Sequence, residues 1–449
     1  MTGQRHQLLA VVVSLMLLLV ACSPIGSNNG GVTPTPSHKP QISPTTAPVS
    51  PTSTTADVCP AQLSSRLTCF TPHALRVAYG VESLIQQGFT GKGQTIVDIV
   101  SFGSPTIQQD IDVFDQQFGL PPITIQVLSP LDATVKPSDP HQDRGGWALE
   151  TELDVEIIHA MAPDAGIIVM TSPVAETEGV MGFPEFMKLQ QYAVDHHLGQ
   201  IFSQSYAASE VTLADSQGQQ LIKSYSDFYK QITTQQGWTI LSGSGDNGAT
   251  DYADLSITNL SPTRTVNFPA DVPWVTAVGG TTLFRAGTAT TYNESAWSGS
   301  GGGVSKFFTE PDFQHGLPQS VQSQLAGQRG LPDIAADADP TTGMAYYING
   351  RWRQIGGTSA STPLWAGIIA IANQVAGHPL GFINPGLYKV GVSQNATKDF
   401  RDITQGNNDV NNGNIHVKGF QAVAGWDAVT GWGAPQASSL IPDLIAALK

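Results

Sequence analysis

Four stretches of this chain gather residue types that can do chemistry. The first, GGTSASTPLWAG (residues 356–367), sets Ser359 on a glycine bend ahead of Pro363 and an apolar run. Two readings fit it. Ser and Thr are ordinary helix N-caps, Pro suits a first helical turn and Gly the turn before it. A serine so placed also exposes its hydroxyl beside backbone N–H groups and the positive end of a helix dipole, which suits a nucleophile. A nucleophile needs a base, and the familiar partner of serine is histidine. None of the ten histidines serves: His196 and His197 are adjacent and read as a solvated helix end, while His159 follows an apolar helix and reads as a packed, hydrogen-bonded residue.

Carboxylates can take the role of base where their surroundings suit. GGWALETELDVEIIHAMAP (145–163) is helical in pattern and crowded with acids. Glu150 and Asp154 lie four apart and share one face; Glu152 and Glu156 share another. Like charges at that spacing repel, so each pair belongs either on a solvated face or where a proton is shared. The apolar residues between them, Trp147, Leu149, Leu153, Val155, Ile157 and Ile158, point to partial burial without choosing between the pairs. The third stretch, GWTILSGSGDNGA (237–249), puts Asp246 in a glycine-rich turn just past a strand-like run. The fourth, FRDITQGNN with AVAGWDAVTG (400–408 and 422–431), holds Asp402 and Asp427 among Gly and Asn. Two carboxylates with backbone carbonyls suit a hard cation such as calcium, although Asp is also a routine turn residue.

Positioning these residues calls for a rigid frame. QTIVDIVSF, AGIIVMTS, GQIFSQSY, GWTILSGSG and PWVTAVGG are short, β-branched and bounded by glycine or polar turns, with helix-length segments between several of them. Near-continuous apolar strands imply a parallel sheet buried on both faces, hence a doubly wound α/β domain with its site at the carboxyl ends of the strands.

Taken in order, ETELDVEIIHAMAPDAGI, SGSGDNGA and GGTSASTP resemble the sedolisin family of serine-carboxyl peptidases. The likeness continues through CFTPHALRVAYG, FPADVPWVTAVGGTT, WSGSGGGVS, RGLPDIAADAD, GFINPGLY and AVAGWDAVTGWG, from about residue 66 to the C-terminus. The resemblance implies a subtilisin-like fold, a mainly parallel sheet with helices on both faces. It also implies a Ser–Glu–Asp triad in which Ser359 attacks the peptide carbonyl, Glu150 moves the proton and Asp154 orients Glu150. Asp246 would line the oxyanion hole. It further implies one structural calcium ion held by Asp402, Ile403, Val423, Gly425 and Asp427, with Val423 standing where a glycine is usual. Because a carboxylate facing an oxyanion must be protonated to help it, while Glu150 must ionise to act as a base, mildly acidic operation is expected. Relatives usually carry a long inhibitory prosegment. Here only an export signal and a tether precede Cys59, so either the protein is born active, or another chain helps it fold, or it is a non-catalytic descendant.

Composition narrows the classes. With 36 acidic and 21 basic residues the net charge is −15, and no basic stripe exists to bind nucleic acid. Residues 57–449 carry 19 basic residues and all 36 acids, a balance suited to acid but equally to any soluble acidic protein. Arg5 precedes LLAVVVSLMLLLVA, shorter than the about 20 residues of a membrane span, and reads as the signal of an exported protein. Its end, LVAC, resembles a bacterial lipobox that would lipidate Cys22; plain cleavage nearby is the alternative. Residues 23–56, with seven prolines and no acid, are expected to form a Pro/Ser/Thr-rich disordered tether that holds the 57–449 domain off a membrane. In an oxidising compartment Cys59 and Cys69 are expected to pair. The sum is an exported, monomeric endopeptidase acting on polypeptide at acidic pH. Two alternatives are a tripeptidyl-peptidase of the same family and a tethered module that binds peptides or glycans without cutting them.

Overall fold

Every strand expected from the sequence is present. The structure is a computed structural model that describes residues 58–63, 68–285 and 291–449; the signal, Cys22 and the tether lie outside the described residues. The run TIVDIVS forms β1 (Thr95–Ser101). It is followed by β2 (Gln126–Leu128), β3 (Gly166–Ser172), β4 (Ile201–Gln204), β5 (Thr239–Gly243), β6 (Thr276–Arg285), β7 (Tyr292–Ala296) and β8 (Ile334–Asp337). The order across the sheet is β8-β6-β5-β4-β1-β3-β2, all parallel along this path, while β7 pairs antiparallel with β6. Ile96 of β1 is in register with Ile167 on one side and Ile201 on the other. All three are almost wholly buried, and burial of each such side chain contributes about 1.5–3 kcal/mol.

Helices flank the sheet: α1 (Ile107–Phe118), α2 (Arg144–Met161), α3 (Phe183–Asp195), α4 (Ser216–Gln235) and α5 (Thr358–Ala376). Alternation along β4 separates the two faces. Gln204 accepts hydrogen bonds from Tyr206 and Tyr229 (2.9 Å each), and Gln190 of α3 donates to both of these tyrosines, so this face belongs to α3 and α4. Ser203 and Ser205 point the other way, towards α2 and α5. Those two helices run against each other, and Gly367 makes the contact possible because a β-carbon there would press on Met161. Trp365 of α5 is fully buried, and its indole donates to the Ala335 carbonyl of β8 (2.9 Å). The α2–α5 pair, clamped to the sheet, is the platform of the candidate site. Cys59 and Cys69 form a disulfide, Cα atoms 6.3 Å apart.

Candidate active site

The bend before Ser359 solves a capping problem in an unexpected way. α5 starts at Thr358, and its N-cap is Gly357, with φ 120°, so no Ser or Thr side chain caps the helix. A β-carbon at Gly357 would collide with the Asp246 carboxyl. That carboxyl does the capping from outside: Oδ1 of Asp246 accepts from the Thr358 N–H (2.7 Å) and from the Thr358 hydroxyl (2.9 Å). Ser359 is therefore the second residue of the helix. Pro363 lies inside the helix, beyond its first turn. Lacking an N–H, it leaves the Ser359 carbonyl without its usual helical partner. The Ser205 hydroxyl, just past β4, sits 3.4 Å from that carbonyl and donates to Oδ1 of Asp154 at 2.7 Å.

Neither acid pair of α2 lies on a solvated face. Glu152, Asp154 and Glu156 are fully buried, and Glu150 is half-buried. Their partners divide them. Glu152 accepts from the hydroxyls of Ser104 and Thr106, and Glu156 from the Tyr347 N–H (3.0 Å), so this pair holds a loop and a hairpin against the helix. Glu150 and Asp154 face the start of α5. The hydroxyls of Ser359 and Ser205 lie close enough to Glu150 to favour its ionised form, but burial outweighs them and, with the Asp246 charge adding to it, raises the carboxyl to about 8. Oε1 of Glu150 has no aligned partner, and such contacts tighten only when substrate is bound. Burial likewise raises Asp154, helped by the charges of Asp98 and Glu150. Ser205 thus lies between the two acids.

A cleft of about 200 Å³ opens over this group, walled by Ser359, Ser205, Tyr206, Asp246, Asp251 and Glu176 among others. Asp246 faces the open cleft, yet the walls around it raise its carboxyl while the two Thr358 hydrogen bonds pull the other way. Its Oδ2 remains available to carry a proton. Glu176, on a short turn (Glu176–Glu178), is raised to about 8 by burial and by the charges of Asp143 and Glu150. Sequence reasoning singled out neither Ser205 nor Glu176, and it passed over Asp98, a fully buried acid of β1. For Asp98 the signal was present: a lone acid inside the apolar run QTIVDIVSF.

His159 is fully buried, 2.9 Å from the Pro121 carbonyl and 3.1 Å from Asp115; His196 and His197 are exposed at the end of α3. Asp402 and Asp427 converge on one turn: Asp402 accepts from the Gly425 N–H (3.1 and 3.2 Å) and Asp427 from the Val423 N–H (3.1 Å). Burial raises Asp427 to about 7, which an adjacent cation would reverse. Among the described residues no group of three or more His, Cys, Asp or Glu side chains is placed to hold a metal. The donor set here, two carboxylates and the carbonyls of one turn, still fits calcium chemically.

The sequence model of the subtilase family matches residues 144–408, the span from α2 through α5 to the loop beyond Asp402. The chain belongs to the subtilase family, in its sedolisin branch. Kumamolisin from Bacillus sp. (strain MN-32) is 33% identical over 357 residues, covering 78% of this chain and 59% of its own length. Sedolisin from Pseudomonas sp. (strain 101) is 28% identical over 326 residues, covering 70% and 52%. Tripeptidyl-peptidase 1 from Homo sapiens is 31% identical over 271 residues, covering 55% and 44%. The chain thus spans about half the length of the curated relatives it matches. A solved structure of Pseudomonas sedolisin, a serine-carboxyl proteinase complexed with two molecules of pseudo-iodotyrostatin, superposes with a TM-score of 0.70 at 27% identity, covering 84% of this chain and 98% of that one.

Proposed function

We propose that the chain is an exported serine-carboxyl endopeptidase that hydrolyses peptide bonds in acid. The observation that carries this reading is the gathering of Ser359, Ser205, Glu150, Asp154 and Asp246 around the N-terminus of α5, at the edge of an open cleft. Ser359 Oγ attacks the scissile carbonyl carbon as Glu150 takes its proton. The oxyanion accepts a hydrogen bond from protonated Asp246, and Glu150 returns the proton to the leaving amine. A water activated by Glu150 then cleaves the acyl-enzyme and restores Ser359. A closer hydrogen bond from the Ser359 hydroxyl in the substrate complex makes the Glu150 carboxylate available below its resting value, while rising pH ionises Asp246 and removes its donor; together they set an acidic working range.

Calcium belongs to the same reading: Asp402 and Asp427, with the carbonyls of Ile403, Val423 and Gly425, would hold one ion that braces the C-terminal loops. So do export, lipid attachment at Cys22 and a monomeric state. Release of tripeptides remains a second reading, favoured by the likeness to a tripeptidyl-peptidase. Digestion of a denatured protein at about pH 4 by the wild type and by Ser359→Ala tests the proposal. Fragments from the wild type alone are expected. Equal digestion by both refutes the nucleophile assignment, and none by either favours the binding module. Fragment masses separate internal cuts from tripeptides.

A further inference from the structure

Asp98 is an acid where the fold has no evident use for one. It sits in the middle of β1, fully buried, and neither carboxyl oxygen has a conventional hydrogen-bond donor. In register with it on β4 is Ser203. By the alternation of strands, Asp98, Ser203 and Ser205 share the sheet face that carries α2. On that face Asp98 lies beside Asp154, whose Oδ2 is likewise buried without a donor. Two carboxylates cannot hydrogen-bond without a proton between them.

The charged and titratable groups around the pair are all acidic. Asp98 meets Glu150 and Asp154 of α2. Asp154 meets Asp98, Glu150 and the Ser205 hydroxyl, and the phenol of Tyr346 lies near both α2 acids. Among the described residues no lysine, arginine or histidine acts on either carboxyl. Both carboxyls are sealed from bulk solvent, so the proton that joins them is carried by one of the acids themselves.

We propose that Asp98 is a positioning residue that holds one proton jointly with Asp154, so that Asp154 is fixed between β1 beneath it and the Ser205 hydroxyl above it. The inference rests on the peptidase reading only for its effect on rate. The joint proton keeps the pair at no more than one negative charge, and the anchored Asp154 sets Ser205, which in turn lies against Glu150. The order Asp98, Asp154, Ser205, Glu150, Ser359 is a continuous polar line from the sheet to the cleft. Burial and the neighbouring acids hold both carboxyls of the pair well above the ordinary carboxylate range, so the joint proton leaves only as the pH climbs, and stability falls with it.

Two measurements test this. The first is thermal unfolding from pH 4 to 8. Asp98→Asn donates an amide hydrogen bond to Asp154 at every pH, so its Tm should fall less steeply with rising pH than that of the wild type. Asp154→Asn, which removes the same joint titration from the other side, should flatten the profile equally. The second is steady-state kinetics. Asp98→Ala, which removes the donor, should lower kcat by about tenfold or more with KM nearly unchanged, and Asp98→Asn should restore kcat to within a few-fold. Asp98→Ser substitutes if the alanine variant does not fold. A Tm profile as steep in both Asn variants as in the wild type overturns the proposal, as does full kcat in Asp98→Ala. If the wild type cuts nothing, the Tm arm still decides the shared proton, and it is the peptidase reading that falls.

Discussion

The two faces of α2 present the same motif twice. Glu150 and Asp154 on one side, Glu152 and Glu156 on the other, have identical spacing, and among the described residues no cation partners either pair. They differ in what they touch. Glu152 and Glu156 accept from the Ser104 and Thr106 hydroxyls and the Tyr347 N–H, fixed donors that hold a loop and a hairpin in place. Glu150 and Asp154 face serine hydroxyls at the rim of a cleft, and behind them stands another acid instead of a backbone amide. A buried acid tied through one oxygen to a loop or a hairpin is a fastener; one set against a hydroxyl at an open edge can exchange a proton. Asp333 extends the contrast. It is equally buried, but a bidentate Arg329 (2.6 and 2.8 Å), the Tyr388 hydroxyl and the Ala277 N–H hold it.

The sharpest way to break the comparison is to neutralise one acid on each face. Glu150→Gln is expected to lower kcat/KM by about 10⁴ without loss of Tm, while Glu152→Gln keeps activity within about threefold. Equal losses in peptide hydrolysis would erase the distinction between the faces. Next in size is Arg329→Leu, which strands Asp333 as an unpaired buried charge. Denaturant unfolding should show a loss of about 3–5 kcal/mol, with catalysis per folded molecule unchanged.

Smaller is the pH response of the fastening face. Burial raises Glu152 from 4.5 to about 7, so its contribution to stability is complete below pH 4.5 and is lost as the pH rises through 7. The wild type should lose up to about 3 kcal/mol from this group over that window, and Glu152→Gln should not; Tm measured from pH 4 to 8 reads the difference. The smallest effect is expected far from α2. A chelator should lower Tm by about 5 °C before it alters initial rates in the cold, and Asp427→Asn should abolish that response to chelator.

Much of this was legible in the residues. Five strands announced themselves as β-branched runs, because a parallel strand covered on both faces must be apolar throughout. Glycines at 243, 245 and 357 marked the turns that bring Asp246 under α5. What the sequence could not disclose was which neighbours the acids of α2 would meet. Asp98 lies on β1 and Ser205 just past the end of β4, and only the β1–β4 register and the alternation of side chains turn both towards Asp154. The helix cap shows the same limit. Ser and Thr are good caps by type, but the first N–H of α5 is taken by an aspartate more than a hundred residues away. Pro363, expected near the first turn, falls deeper, and its effect is to free the carbonyl of Ser359.

Among the described residues, the walls of the cleft carry Glu176, Asp246, Asp251 and Asp254, and no lysine, arginine or histidine. If the chain cuts peptides, each event leaves a fresh C-terminal carboxyl in that trough with no counterion to detain it. Such an end rests there only while acid keeps both it and the walls neutral. As the surroundings become less acid, spent fragments are expelled by repulsion over the same range in which ionised Asp246 ceases to donate.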